Sequence, residues 1–240
     1  MATKNKLGDL MINGFGTASG GEFDQVSING KGTVNGDLQC HFFECNGSGA
    51  VNGDIKSEIV KISGNAKING KVYTTDLKVE GRGVIKGNVL MSKMVISGTS
   101  FVDGNVKGEE LKVQGKIVVD GDCEVEAFKA EGQFKVEGLL SAETIEIYTY
   151  GESRAKEIGG QTIKVKEKSN FLLNLLKTVK SVQLEADLIE GDHITLENTK
   201  AKVVRGNQII IGQNCEIDLV EYKETFKTEK NGYVKESKQI

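Results

Sequence analysis

A glycine recurs at every seventeenth residue through the first half of the chain, at Gly30, Gly47, Gly64, Gly81, Gly98, Gly115 and Gly132. A second series keeps the same step at Gly36, Gly53, Gly70, Gly87, Gly104, Gly121 and Gly138. Repetition this regular implies a stack of near-identical units rather than an ordinary globule. Four apolar series march with the glycines. They are Val26, Phe43, Val60, Leu77, Met94, Leu111, Phe128, Ile145; Ile28, Cys45, Ile62, Val79, Ile96, Val113, Ala130, Ile147; Val34, Val51, Ile68, Ile85, Val102, Val119, Val136; and Leu38, Ile55, Val72, Val89, Val106, Cys123, Leu140. Six uninterrupted series leave chance no role.

Within one repeat, Val26, Ile28, Gly30, Gly32, Val34, Gly36 and Leu38 stand two apart, with polar residues such as Ser27, Asn29, Lys31 and Asn35 between them. Period-2 alternation means strand with one face turned inward. At about 3.3 Å per residue one repeat spans a perimeter of ~55 Å, which suits three short strands around a thin core. One repeat cannot bury its own apolar face, so each relies on the copies before and after it. The expected fold is all-β: a single-stranded parallel β-helix, or solenoid, of about 17 residues per coil, with coils ~4.8 Å apart. Identical residues then stack, and Asn35, Asn52 and Asn69 should form an outward asparagine ladder. Small residues at Gly32, Gly49, Ala66, Gly83 and Ser100 mark a tight corner. The same position becomes Ile117 and Phe134, so the interior is expected to widen toward later coils.

Composition agrees. Hydrophobic residues are 38%, aromatic residues only 6%, with 30 glycines and neither proline nor tryptophan. A narrow core of small and β-branched side chains follows. The net charge of −3 comes from interspersed signs, which gives no basic stripe for a nucleic-acid backbone. No signal-type apolar segment and no membrane-length apolar run occur, so a cytoplasmic location with four reduced cysteines is expected.

The regularity weakens at both ends. Leu10, Ile12 and Gly14 precede Val26, Ile28 and Gly30 by 16, and Ile163 and Val165 follow Ile145 and Ile147 by 18. Alternation returns at Val182, Leu184, Ala186, at Ile194, Leu196, at Ile209, Ile211 and at Ile217, Leu219. This gives an N-terminal tail over 1–9, a solenoid over 10–220 with an insertion near 166–181, and a charged, mobile tail over 221–240. In the insertion, Phe171, Leu172, Leu175, Leu176 and Val179 have helical spacing among lysines. They suit either packing on the solenoid flank or contact with an anionic membrane surface.

The coils VKISGNAKINGKV (60–72), MVISGTSFVDGNV (94–106) and LKVQGKIVVDGDC (111–123) resemble those of the bactofilin family. The segment over 201–222 is similar to the larger bactofilin-like proteins of endospore-forming bacteria. Hexapeptide-built β-helices would need about 18 residues per coil. The resemblance implies a right-handed β-helix that polymerises without nucleotide into filaments lacking polarity, with roles in scaffolding, cell shape or motility. It implies itself as the main partner, with a membrane surface or envelope proteins as further partners. It carries no catalytic residue, cofactor, nucleic acid or small-molecule substrate.

Physical argument leads to the same surfaces. A solenoid has two open ends, each with unpaired backbone groups and a slice of apolar core. The candidate polymer interface is Leu10, Met11 and Ile12 at one end, and Ile209, Ile211, Ile217 and Leu219 at the other. The alternative is a monomeric solenoid that binds a carbohydrate or protein along its side, for which the Asp103, Asp120, Glu137 column is the nearest candidate. The acids Asp37, Asp54 and Asp122 share their column with Lys71, Asn88, Asn105 and Leu139, which suits a solvated corner better than a calcium ladder. The glycines from Gly14 to Gly20 fall on the repeat and precede no helix, so they do not read as a phosphate loop. His41 and His193 lack neighbouring ligands or nucleophiles and read as surface residues.

Overall fold

The structure is a computed structural model that describes residues 7–149, 151–167, 184–229 and 231–240. By contact, the chain divides into two compact units. One is Met1–Glu110 with Gly115–Asp120, the other Leu111–Gln114 with Gly121–Ile240. Both are β-solenoids, and no helix occurs among the described residues.

The first unit holds β1 (Leu10–Ile12), β2 (Phe15–Glu22), β3 (Gln25–Ile28), β4 (Lys31–Cys45), β5 (Ser48–Asn52), β6 (Ile55–Ile62), β7 (Asn65–Ile68), β8 (Val72–Val79), β9 (Arg82–Ile85), β10 (Val89–Ile96), β11 (Thr99–Val102) and β13 (Lys116–Val119). Residues 106–110 of β12 (Val106–Val113) also belong to it. Strands pair in parallel with the copy one coil away: Leu38 faces Ile55, Ile55 faces Val72, and Val72 faces Val89. The first coil is one residue short, as its spacing requires, with Leu10 opposite Val26 and Ile12 opposite Ile28. A bulge between Ser19 and Gly21 restores the regular step.

The second unit holds the rest of β12 and β14 (Cys123–Ala130), β15 (Gln133–Thr149), β16 (Ser153–Glu167), β17 (Leu184–Leu196), β18 (Thr199–Ile211), β19 (Glu216–Thr228) and β20 (Tyr233–Gln239). Its coils vary in length. Ile145 pairs with Ile163, Ser153 with Leu184, Leu184 with Thr199, Lys200 with Glu216, and Glu216 with Tyr233. The slip after Ile147 is therefore a longer coil, and the inward columns continue through it.

The alternation sorts as the repeat demands. Val26, Phe43, Val60, Leu77 and Met94 are buried, as are Ile28, Cys45, Ile62, Val79 and Ile96. Each such side chain contributes about 1.5–3 kcal/mol on burial. The tight corner holds too. A Cβ on Gly49 would lie 2.9 Å from the Cys45 Sγ. Further along, Ile117 is buried in the first unit, and in the second the buried Phe134 meets Phe128 edge-on at 5.2 Å.

The glycine series has a steric cause. A Cβ on Gly47, Gly81, Gly98 or Gly115 would lie 2.0 Å from the carbonyl oxygen of the glycine one coil earlier. No side chain fits where backbone approaches backbone so closely. At the other corner Gly36 has φ +106°, a conformation only glycine adopts freely.

Polar stacking pins the coils from outside. The Asn52 amide donates to Asn35 at 2.7 Å and the Asn69 amide to Asn52 at 2.7 Å, forming the expected ladder. A second ladder joins Asn46 to Asn29 and Asn29 to Asn13. The Asp37 column acts as a corner clamp. The Asp54 N–H donates to the Asp37 Oδ1 at 2.8 Å, the Lys71 N–H to Asp54 at 2.7 Å, and the Leu139 N–H to Asp122 at 2.8 Å. Asn88 serves the Asn105 N–H in the same way.

All four cysteines are free and buried. Burial raises the pKa of Cys40 and Cys45, and pushes Cys123 up to about 12 and Cys215 to about 11. These thiols are core fillers rather than nucleophiles.

Two outcomes follow from this packing. Gly81→Ala should lower unfolding free energy by about 1–3 kcal/mol, whereas Gly14→Ala, with nothing within 4 Å of the new Cβ, should shift it by less than ~0.5 kcal/mol; urea midpoints of the two variants separate them. A buried thiol keeps its proton when the unfolded chain has lost its own, so the folded state binds more protons and stability falls as pH climbs from 9.0 toward about 12. Cys123→Ala should make this alkaline decline shallower in melting curves taken across that range.

Candidate functional site

Among the described residues, nothing covers the first coil of the first unit. β1 pairs with β3 alone among the described strands, and the Ile12 and Gly14 carbonyls accept N–H groups from Asn29 and Lys31 of the next coil. Because backbone direction alternates along a strand, the N–H and C=O of Met11 point away from β3, toward the free edge. The three interface residues expected at this end lie together. Leu10 is half-buried, Met11 is 57% exposed, and Ile12 closes the core at 8% exposure. Sequence reasoning missed Phe15, the most exposed large apolar residue among the described residues at 91%. Its signal was present: it stands in a column of outward polar residues, opposite Lys31. Ala18 is half-buried over the fully buried Val34. The end therefore presents an apolar slice framed by a free backbone edge.

The last coils of the second unit differ from expectation. Ile209, Ile211 and Ile217 are buried, and Leu219 is half-buried. Ile209 lies opposite Phe226 and Ile211 opposite Thr228, while Ile217 lies opposite Val234 and Leu219 opposite Glu236. The segment from Glu221, expected as a charged tail, continues β19 and then forms β20, a further parallel strand laid on β19. The sequence carried a partial signal, since Val234 follows Ile217 by one regular step. Ser237 over Val220 breaks the inward column, and this concealed the strand. β20 is almost wholly exposed, with only Val234 and no other residue half-buried.

The remaining candidates resolve into solvated ladders. His41 sits 2.9 Å from Asp24 through Nδ1 and 4.0 Å from Glu58 through Nε2, all exposed. The nearby Ser57 hydroxyl is directed at the backbone carbonyls of His41 and Ile59 rather than at an imidazole nitrogen. Asp103 pairs with Lys86 at 2.6 Å, and Glu137 with Lys135. His193 is exposed on β17, opposite Thr162 and Gln208. A groove of about 600 Å³ on the second unit is lined by Arg154, Glu185, Asp187, Lys200, Lys202 and Glu216, with Tyr233 its one aromatic residue. The hydrogen bond from Lys202 holds the Asp187 carboxyl below its ordinary range, the wrong direction for a general acid. No group of three acidic, histidine or cysteine side chains among the described residues could hold a metal ion. Phe171, Leu172, Leu175 and Leu176 lie outside the described residues. No helix among the described residues is long and apolar enough to cross a membrane.

Comparison with known proteins places this geometry. The Bactofilin family, described as polymer-forming and cytoskeletal, matches residues 4–90. The uncharacterized protein YhbE of Bacillus subtilis (strain 168) is 59% identical over 232 residues, which cover 96% of this chain and 98% of that protein. The uncharacterized protein YhbF of the same strain is 41% identical over 88 residues, 37% of this chain and 35% of that protein. No solved structure is significantly similar.

Proposed function

The chain belongs to the bactofilin family of polymer-forming cytoskeletal proteins, and from that premise we propose that it is a scaffold subunit that assembles end to end into filaments without nucleotide. The observation that carries this reading is the open first coil. Ile12 and Ala18 offer an apolar slice, Met11 a free backbone edge, and Phe15 a large exposed ring. A second copy supplies what such an edge lacks: hydrogen-bonding groups at the same spacing and an apolar slice of the same cross-section. Stacking needs no chemical energy, because apolar burial and backbone pairing are favourable once the edges meet. In this reading the chain works in the cytoplasm, at or near the membrane, and supports cell shape or motility through envelope partners.

Negative-stain electron microscopy and sedimentation of the purified protein, with no nucleotide or metal added, test the proposal. Wild type should form filaments longer than one molecule. Ile12→Asp puts a charge into the apolar slice, and Met11→Pro removes an N–H from the free edge while leaving the pairing with β3 intact. Both should shift the protein to short species at unchanged far-UV circular dichroism. Discrete particles at every concentration, for wild type and for a chain whose last strand is loosened alike, would overturn end-to-end assembly.

A further inference from the structure

We propose that β20 is a displaceable cap and that the edge of β19 beneath it is a second self-association surface, whose occupant in the assembled state is a terminal coil of another copy of this chain. The inference rests on the end-to-end reading above and goes beyond it by assigning the control of assembly to one strand.

Three observations carry it. First, β19 carries the core columns, with Ile217 and Val220 fully buried. The strand that covers them contributes Val234 over Ile217, but Ser237 over the fully buried Val220. The cover is thus polar where the surface beneath is apolar, which is how a solenoid caps itself. Second, β20 is weakly held. One half-buried valine, the backbone ladder and a Gln239 side-chain bond to the Lys223 carbonyl at 3.0 Å anchor it, while Tyr233 is 61% exposed. A strand with so little apolar burial opens locally at small free-energy cost. Third, the cover is partial. β20 follows β19 from Glu216 to Tyr222, and no described strand pairs with the outer side of residues 223–228. Phe226 lies on this stretch, its ring 5.5 Å from that of Tyr222 at the edge of the cover.

Only a coil of the same perimeter can match both this backbone edge and the apolar slice inside it, and a second copy offers one. With β20 in place, Ser237 blocks that match. Once β20 peels away, Ile217 and Val220 become the stacking surface. The fold thereby holds one sticky end in reserve.

The test compares the full chain with a truncation ending at Thr228 and with two full-length variants. Val234→Asp removes the one apolar anchor of β20, and Ser237→Val adds apolar cover over Val220. The concentration at which assembly begins is read by light scattering and sedimentation, with circular dichroism and urea unfolding as the check on fold. The truncation should assemble at a concentration at least ~10-fold lower than the full chain, with Val234→Asp shifted the same way and Ser237→Val shifted upward. Should the truncation fail to fold, Val234→Asp and Ser237→Val decide the matter through their opposite signs. Equal onset concentrations for the full chain and the loosened forms would overturn the cap. If neither the full chain nor any loosened form assembles at any concentration, the end-to-end reading itself fails.

Discussion

The close approach of backbone to backbone at the glycine corners is the constraint on which the rest depends. A carbonyl oxygen one coil away occupies the place a Cβ would take at Gly47, Gly81, Gly98 and Gly115. That contact sets where the chain turns and therefore how many residues complete one circuit. Once the circuit is fixed, the alternation of each strand decides which residues enter the core, because a shift of one residue would turn every side chain to the other face. The core can then be built from valine, isoleucine and small residues, since each meets its own counterpart above and below rather than an irregular neighbour.

Outside the core, the polar columns keep coils from sliding. Asparagine amides joined at 2.7 Å and corner aspartates that accept the next coil's backbone N–H are satisfied only in one register. Individually such bonds contribute about 1 kcal/mol. Their value lies in repetition, because every coil meets the same requirement. The unpartnered hydroxyl of the fully buried Ser100 shows the contrast: it occupies an inward column where small residues fit and gains nothing from stacking.

Most of the fold was legible because one cause, the step of seventeen, writes itself into glycines, apolar residues and asparagines alike. The short first coil and the long coil after Ile147 were legible for the same reason, since alternation survives a change of step. The role of the Asp37 column was only half legible. Its tolerance of lysine and asparagine argued against a metal site, but a hydrogen bond to a backbone N–H one coil away leaves no mark in residue type alone. β20 was obscured because a capping strand departs from the pattern by design: a polar residue at an inward position is what makes it a cap. Phe15 escaped notice because outward apolar residues occur elsewhere too, as at Val84 and Phe101, which lie opposite each other, whereas Phe15 faces Lys31.

The partners in these ladders are never far apart along the chain, and this governs how the molecule is made. In the first unit nearly every strand contact joins residues 17 positions apart, as Lys31 and Ser48 do. The first productive event is thus the closing of one short loop, and each later coil needs another loop of the same size. Folding can begin at any neighbouring pair of coils and spread both ways like a zip. The longest step is the one from Ser153 to Leu184. Nearly doubling the loop adds only about 0.5 kcal/mol of closure entropy, so the long connection between β16 and β17 interrupts the rhythm of the zip without stopping it.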